Sequence, residues 1–193
     1  MTRDIDLLAP MAVHKLAAVA ISITTLDRTL ARTLEPRCPR PDKRLAAVRQ
    51  LSDAGIPVAV MVAPIIPGLN DHEIEAILTE ARAAGAVAAD YVMLRLPLEI
   101  HGLFEEWLHE HAPHRASKVV KLVRETRGGK VYDSDFSQRM SGTGIYANMI
   151  KTRFSQALKR SGFHHNAASG FRQRTDLFVR PLGTLDQPSL FDV

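Results

Sequence analysis

Three continuous apolar runs alternate with two amphipathic segments in the first half of the chain. The apolar runs cover about residues 16–24, 56–66 and 90–98, and the amphipathic segments cover residues 41–55 and 70–85. A continuous apolar run is typical of a strand buried on both faces, whereas apolar residues three and four apart indicate one face of a helix. Strands and helices in this order form βαβ units, so we expect a parallel sheet covered on both faces.

The number of these units sets the fold class. Three parallel βα units in the first half of the chain fit a small open sheet or an incomplete barrel, because a complete barrel needs about 200 residues or more. We predict an α/β fold, namely a partial (β/α) barrel followed by a helical, basic C-terminal region. The segment 2–12 is also helical in pattern, with Thr2 or Asp4 as its cap, so the series begins without its preceding strand.

The amphipathic segment at 70–85 has a defined start. Asn70 is the predicted N-cap, and Glu73, three residues later, completes a variant of the capping box. Just before it, Pro64 and Pro67 stiffen the exit of the second apolar run, and Gly68 permits a turn.

The second half of the chain is helical in pattern and basic. Amphipathic segments cover residues 99–113, 114–129 and 145–162. Residues 1–114 contain 11 Lys and Arg against 15 Asp and Glu, whereas residues 115–180 contain 14 against 4. We therefore divide the chain into an α/β domain (1–114), a basic helical extension (115–180) and a flexible tail (181–193).

Composition excludes several classes of protein. The one cysteine, Cys38, cannot form an internal disulfide or a metal site built from several thiolates. No stretch approaches the roughly 18 uninterrupted apolar residues of a membrane span, and the first residues lack the pattern of a signal peptide. We expect a cytoplasmic protein that does not bind membranes.

The predicted strand ends are the places to search for a ligand site, because loops and helix N-termini gather there in parallel sheets. The candidates are Ser22, Thr24, Thr25 and Asp27 after the first run, Ala63, Pro64, Pro67 and Asn70 after the second, and Arg95, Pro97 and Glu99 after the third. Their polar groups suit a ligand with a carboxylate or a ribose. The hydroxyls equally suit backbone groups at the strand ends, and Glu99 or Glu35 would pair with Arg95 in a structural ion pair.

Two further patterns favour plain structural explanations. Residues 141–144 (Ser-Gly-Thr-Gly) lack both the Lys-Ser/Thr pair and the preceding strand of a phosphate loop, so we interpret them as a tight turn before a helix. The histidines, including His111, His114, His164 and His165, have no spacing typical of metal ligands. We predict no metal site from this chain.

The ordered motifs of the chain are similar to the later half of a radical S-adenosylmethionine (radical SAM) domain. The motifs are Ile-Ser-Ile-Thr-Thr-Leu-Asp at 21–27, Leu-Glu-Pro at 34–36, the segment 41–71, Tyr-Val-Met-Leu-Arg-Leu-Pro-Leu-Glu at 91–99, and the segments 105–111 and 124–144. They most resemble the branch related to spore photoproduct lyase, often described as DNA repair photolyase-like. The resemblance implies a partial barrel in which a 4Fe-4S cluster reduces S-adenosylmethionine to a radical that abstracts hydrogen from the substrate.

The chain departs from this family at the cluster. Family members hold the cluster with three cysteines spaced CxxxCxxC, whereas this chain has Cys38 alone. The missing cysteines and the missing first strand have one explanation, that the sequence is the C-terminal portion of a longer protein or a truncated gene product. We expect no radical chemistry from this chain by itself.

The resemblance also implies one half of a cofactor site. Its positions are Ser22, Thr24, Ala63, Pro64, Arg95 and Leu96. Ser22 matches a strand-end serine that contacts S-adenosylmethionine, and Ala63 and Pro64 match backbone that packs on the nucleoside. Arg95 and Leu96 lie where main chain meets the adenine. Glu35 and Arg44 match a pair that we interpret as a structural ion pair.

The basic second half suits a polyanion such as DNA. Lysine and arginine contact phosphates without reading the base sequence, and the photolyase-like resemblance implies the same partner. The candidates are Lys118, Lys121, Arg124, Arg127, Lys130, Arg139, Lys151 and Arg153. The alternative is that these helices simply present a solvated basic face.

The C-terminal tail contains a separate motif. Its residues 187–191, with Gln187, Leu190 and Phe191, resemble the peptide by which bacterial repair and replication proteins bind the DNA sliding clamp. A frayed terminus is the alternative. Two functions remain open, the C-terminal part of a radical SAM enzyme and a non-catalytic basic α/β module that binds nucleic acid or the clamp.

Overall fold

The centre of the fold is a three-stranded parallel sheet. The structure is a computed structural model, which describes residues 2–130, 138, 140–163 and 173–179. The strands are β1 (Val19–Ser22), β2 (Val58–Ile65) and β3 (Ala88–Met93), in the order β1-β2-β3. The register places Ser22 opposite Met61 and Met61 opposite Asp90. The predicted α/β class with parallel strands is confirmed.

The described part of the chain has seven α-helices in addition to this sheet. They are α1 (Ile5–Val13), α2 (Arg28–Leu34), α3 (Pro41–Asp53), α4 (Ile74–Ala83), α5 (Ile100–His111), α6 (Pro113–Glu125) and α7 (Gly144–Arg160), with 3₁₀ turns at Thr2–Asp4 and Asp71–Glu73. All helices predicted from apolar spacing form. The short helix α2 was not predicted; its N-cap is Asp27, whose carboxylate accepts hydrogen bonds from the N–H groups of Thr29 (2.7 Å) and Leu30 (3.3 Å).

One face of the sheet packs against helices α1, α3, α4 and α7 to form the main core. Its strand residues include Val19, Val58, Val60, Val62 and Met93. On α4, Ile74, Ile77, Leu78 and Ala81 recur at helical spacing, and all are 0% exposed. Burial of one isoleucine or leucine side chain contributes about 1.5–3 kcal/mol, so α4 alone is firmly attached to the sheet.

A second apolar cluster lies beyond the carboxyl ends of the strands. It joins the segments after β2 and β3 to the helical hairpin α5–α6 through Ile66, Leu69, Leu96, Phe104, Leu108, Ala116, Val119 and Val123. Gly68 lies in the turn beneath this hairpin with a positive φ of +76°, and a Cβ added there would lie 3.1 Å from the side chain of Leu122. The basic helix α6 therefore packs directly on the strand exits.

The opposite face of the sheet is more open than the apolar runs predicted. Ala20 and Ser22 of β1 and Asp90 of β3 are exposed, and Met61 and Ala63 of β2 are partly exposed. The expectation of a sheet covered on both faces is therefore wrong for this face. Small residues explain the difference, because an alanine lengthens an apolar run but requires little burial.

The third strand also differs from its predicted bounds. The apolar run continues to residue 98, but β3 ends at Met93. The N–H of Met93 donates to the carbonyl of Met140 (2.8 Å), while the N–H of Leu94 still donates to the carbonyl of Ile65 in β2 (2.9 Å). The end of β3 therefore lies between β2 and the segment at Met140. Residues 141–144 then form the predicted turn, in which the N–H of Thr143 donates to the carbonyl of Thr126 (2.9 Å) before α7 begins.

Helix α7 is held to the start of α4 by polar contacts. Arg153 forms a bidentate pair with Glu75, with Nε at 2.6 Å and Nη2 at 2.5 Å from the two carboxylate oxygens. Hydrogen bonding from Arg153 lowers the pKa of Glu75. The hydroxyl of Tyr146 donates to the carboxylate of Asp71, which is only 7% exposed. These contacts fix α7 above the turn that follows β2.

The phenol of Tyr146 is expected to ionise near pH 12. Burial is the main cause of the raised pKa, and the hydrogen bond to Asp71 adds to it, giving a value of about 12. Since an unfolded tyrosine ionises near pH 10, this contribution to stability is complete below pH 10 and is lost as the pH rises towards 12. Tyrosinate absorption measured against pH in the parent protein and in Tyr146→Phe checks the value. A difference curve with its midpoint near pH 10 would contradict it.

Candidate functional site

The carboxyl ends of β1 and β2 form one continuous surface. The Oγ1 of Thr24 donates to the carbonyl of Ala63 at 3.0 Å, and Pro64 follows within β2. Thr24 is 2% exposed, so its hydroxyl joins the two strand ends. The side chain of Ser22, in contrast, is exposed. Ser22 is therefore the hydroxyl of this surface that a ligand would reach first.

The side chains of Arg95 and Leu96 have different surroundings from those of Ser22 and Thr24. Leu96 is 4% exposed and belongs to the second apolar cluster. The Nη1 of Arg95 lies 3.8 Å from the sulfur of Met140. Of the two acidic residues suggested as partners of Arg95, Glu35 pairs with Arg44 instead.

The side chain of Asn70 forms hydrogen bonds with the main chain after both β1 and β2 and near the end of β2. Its side-chain oxygen accepts from the N–H of Ile66 (2.7 Å), and its Nδ2 donates to the carbonyls of Thr24 (2.7 Å) and Pro64 (3.0 Å). The residue is 2% exposed, so these bonds are sheltered from water. Asn70 occupies the predicted N-cap position, ahead of the 3₁₀ turn Asp71–Glu73, but its side chain makes no capping hydrogen bond there because its amide bonds the two strand exits.

Glu73 holds the loop after β1 in place. One carboxylate oxygen accepts from the hydroxyl of Thr25 (2.5 Å), and the other accepts from the N–H of Leu26 (2.7 Å). The predicted capping box is therefore wrong, because Glu73 reaches across to another loop instead of back to Asn70. A single sequence has no signal for such a bond between residues far apart in the chain.

Arg44 forms a hydrogen bond with the main chain of Ser22. Its Nη1 donates to the carbonyl of Ser22 (2.9 Å), its Nη2 pairs with Glu35 (3.0 Å), and its Nε donates to the carbonyl of Pro39 (2.9 Å). The predicted structural ion pair between Glu35 and Arg44 is confirmed. The strand end that carries Ser22 is thus positioned by a guanidinium with three acceptors.

The basic residues of the C-terminal half have different environments. Arg127 is 2% exposed, and its guanidinium donates to the main-chain carbonyl of Leu94 (2.8 Å). The expectation that Arg127 contacts phosphates is wrong, because a buried guanidinium bound to backbone cannot face a nucleic acid. Arg153 is bound to Glu75. The exposed members are Lys118, Lys121, Arg124, Lys130 and Lys151.

Some predicted positions lie outside the described residues. They are Arg139 and the clamp-motif residues Gln187, Leu190 and Phe191. Within the described ranges, no group of three histidine, cysteine, aspartate or glutamate side chains could hold a metal ion. In the same ranges, no helix is both long and apolar enough to cross a membrane.

Two clefts flank helix α2, and the sequence reading missed both. One, of about 530 Å³, lies between α2 and the α5–α6 hairpin and includes Trp107, His111 and Arg115. The other, of about 240 Å³, includes Arg28, Arg32 and Arg40. The spacing of Arg28 and Arg32, four residues apart, is a signal for the second cleft once α2 is known to be a helix.

The strand ends at Ser22 and Ala63 lie in a part of the chain that is similar to a known family. Residues 1–81 match the model of the radical SAM superfamily. The matched segment begins ahead of α1 and ends in α4, so it includes β1, β2 and the residues that join them. It does not include β3 or helices α5–α7.

Related sequences are uncharacterized proteins. Rv2578c of Mycobacterium tuberculosis and Mb2609c of Mycobacterium bovis are each 33% identical over 126 residues, which are 64% of this chain and 37% of the relative. ORF301 of Acidianus two-tailed virus is 39% identical over 67 residues, 35% of this chain and 22% of that protein. The chain thus spans 37% of the length of its mycobacterial relatives. No solved structure matches significantly.

Proposed function

We propose that this chain forms one wall of an S-adenosylmethionine site in a radical SAM protein. The observation that carries the proposal is the open face of the sheet at its carboxyl end, where Ala20 and Ser22 are exposed and Ala63 is partly exposed. Small side chains leave room for a ligand against the strands, and the exposed hydroxyl of Ser22 provides a polar anchor. The radical SAM match to residues 1–81 supports this location.

The residues of this wall have distinct roles in the proposal. The hydroxyl of Ser22 binds a carboxylate or ribose oxygen, and the backbone at Ala63 and Pro64 packs on the nucleoside. Asn70 and Arg44 bind no ligand but hold these strand ends by main-chain hydrogen bonds. When bound, S-adenosylmethionine supplies the precursor of a radical that abstracts hydrogen. Arg95 and Leu96 remain candidate main-chain contacts to the adenine.

The iron–sulfur cluster does not fit this chain. A 4Fe-4S cluster of this family needs three cysteine thiolates, and the chain has only Cys38, which is exposed in the loop between α2 and α3. Another part of the protein or another chain would have to supply the ligands. We therefore derive no catalytic step for this chain.

The finer assignment follows from the motifs at 21–27, 41–71 and 91–99. We propose that β1–β3 are successive strands of a partial (β/α) barrel whose inner face is the open face of the sheet. We also propose the spore photoproduct lyase-like group, with a lyase or DNA repair role in the whole protein. The division at residues 114 and 180 and a cytoplasmic location remain predictions.

Binding of S-adenosylmethionine should depend on free space at Ser22. We expect Ser22→Phe to weaken binding about tenfold or more, because the ring fills the surface where the ligand lies, and tenfold corresponds to roughly 1.4 kcal/mol. Isothermal titration calorimetry of the parent and variant measures the effect. Ser117→Phe, at an exposed position on α6, is the matched control and should bind like the parent. Equal affinity of Ser22→Phe and parent, or no binding by a folded parent, would contradict the proposal.

A second candidate function is a non-catalytic module that binds nucleic acid. Its support is the surface of α6, where Lys118 and Lys121 are exposed although Val119 and Val123 are buried. Such a face contacts phosphates and depends strongly on salt. Docking to the sliding clamp through the tail remains a prediction from the motif alone.

A further inference from the structure

Helix α2 and the loop after it carry a concentrated positive charge. Residues 28–44 contain six basic side chains, Arg28, Arg32, Arg37, Arg40, Lys43 and Arg44, against two acidic ones, Glu35 and Asp42. Residues 1–114 as a whole contain more acidic than basic side chains, so the net charge of residues 28–44 is opposite in sign to that of the segment around them. A local excess of one sign raises the concentration of counter-charged ligands at the surface.

The fold arranges three of these arginines around one cleft. Arg28 and Arg32 lie one turn apart on α2, and Arg40 is at the N-cap position of α3. The cleft has a volume of about 240 Å³ and is completed by Thr29, Ala31, Glu35, Pro36 and Cys38. Its walls thus combine arginines with a threonine hydroxyl and the cysteine thiol.

The acidic residues nearby leave much of this charge available. Glu35 is engaged by Arg44 at 3.0 Å. Asp42 lies 3.8 Å from Arg28 and 3.6 Å from Arg40, beyond the roughly 2.7–2.9 Å of a strong charge-assisted hydrogen bond. In the described part of the chain, Arg32 has no carboxylate within 4.0 Å. The cleft therefore has an excess of guanidinium groups that face solvent.

We propose that this cleft binds a phosphate group of a nucleotide or of a nucleic acid strand. Guanidinium groups bind phosphate oxygens through paired N–H donors, and several of them match the multiple charges of a phosphate better than a single carboxylate would. The inference goes beyond the proposed cofactor wall and does not depend on it. The Glu35–Arg44 pair links the cleft to the carbonyl of Ser22, so a phosphate here would lie beside that wall.

Cys38 makes the cleft directly measurable, because it is exposed, lines the cleft and is the sole cysteine of the chain. The experiment measures the rate at which neutral iodoacetamide alkylates this thiol, with pyrophosphate, ATP or a short single-stranded oligonucleotide present. We expect each bound phosphate ligand to slow alkylation, about tenfold when its concentration is ten times its dissociation constant. Protection should weaken as salt is added.

Matched variants assign the effect to the arginines. Arg28→Gln/Arg32→Gln should abolish protection, whereas Lys118→Gln/Lys121→Gln, on the basic face of α6, should retain it. Circular dichroism checks that both variants fold; the residues they change are exposed. Stronger protection by the oligonucleotide than by ATP, compared per phosphate, indicates a nucleic acid strand, and the reverse indicates a free nucleotide.

Two outcomes would overturn the phosphate site. One is an alkylation rate of the parent that none of the three ligands changes, and the other is full protection in Arg28→Gln/Arg32→Gln. Neither outcome bears on S-adenosylmethionine, because its binding to the Ser22 surface is measured by calorimetry in a separate titration. Failure of the cofactor proposal would equally leave the protection of Cys38 intact.

Discussion

Replacing Asn70 by alanine is expected to lower the free energy of unfolding by about 3 kcal/mol, since each of its three hydrogen bonds is worth about 1 kcal/mol net and buried partners remain behind. The side-chain oxygen of Asn70 accepts from the N–H of Ile66, and its Nδ2 donates to the carbonyls of Thr24 and Pro64. The residue is 2% exposed. Water cannot readily replace the lost side chain. Urea-induced unfolding of parent and variant measures the change.

The control for this substitution is the same change at an exposed asparagine. Asn148 lies on the exposed side of α7, so Asn148→Ala should change the stability by no more than about 0.5 kcal/mol. If Asn70→Ala and Asn148→Ala lower the free energy of unfolding equally little, the hydrogen bonds of Asn70 across the two strand exits contribute nothing to stability. Asn70→Asp adds a second test, because its carboxylate would repel the carbonyls to which the amide donates.

Substitution of Arg127 by methionine should destabilise the protein by about 2–3 kcal/mol, because it removes the donors of buried backbone carbonyls. The guanidinium donates to the carbonyls of Leu94 (2.8 Å), Met93 (3.4 Å) and Gln138 (3.3 Å). These bonds join the turn that follows α6 to the end of β3 and to Gln138. Methionine fills similar space without donating, so the loss reports the hydrogen bonds.

Arg124 provides the comparison for Arg127. It lies on the exposed side of α6, 3.7 Å from Glu105, and Arg124→Met should cost less than about 1 kcal/mol. Equal stability of the two variants in urea would show that the buried guanidinium is not required. The pair also compares a structural charge with a surface charge, since Arg127 is buried and Arg124 is exposed.

Both substitutions concern side chains that complete the hydrogen bonding of strand ends. Parallel strands that stop at one edge leave carbonyl groups without ladder partners, and Asn70 and Arg127 supply donors to them. Glu73 does the converse by accepting from Thr25 and from the N–H of Leu26. The surface around Ser22 thus lies on a frame whose polar groups are paired, which suits a site that must keep its shape.

Local patterns were sufficient for the elements with strong periodicity. Ile74, Ile77, Leu78 and Ala81 identified α4 because a helix places such positions on one face, whatever the rest of the chain does. The short helix α2 escaped because seven residues offer little periodicity and its cap depends on Asp27. The apolar run at 16–24 did not reveal that Ala20 and Ser22 face outward.

The sequence predicted where in the fold the candidate site would lie, but not the hydrogen bonds that its residues make. The rule that the carboxyl ends of parallel strands meet at one edge of a sheet predicted that Thr24 lies near Ala63, and the hydroxyl of Thr24 does donate to the carbonyl of Ala63. That a ligand binds at this edge stays a prediction. The roles of Asn70 and Glu73 were assigned to a helix cap because that was the nearest pattern in sequence. Asn70 also bonds Thr24, and Glu73 bonds Thr25 and Leu26, all more than 40 positions away in the chain.

By itself, the sequence determined the order of the strands and of the helices other than α2, the parallel sheet and the separation of charge, because these depend on spacing and composition that are local to each segment. Only the tertiary structure decided which face of the sheet stays open, which arginine is buried and which arginines share a cleft. Arg127 and Arg124 are indistinguishable as letters in a basic helix. They differ because packing of α6 on the strand exits buries one and exposes the other.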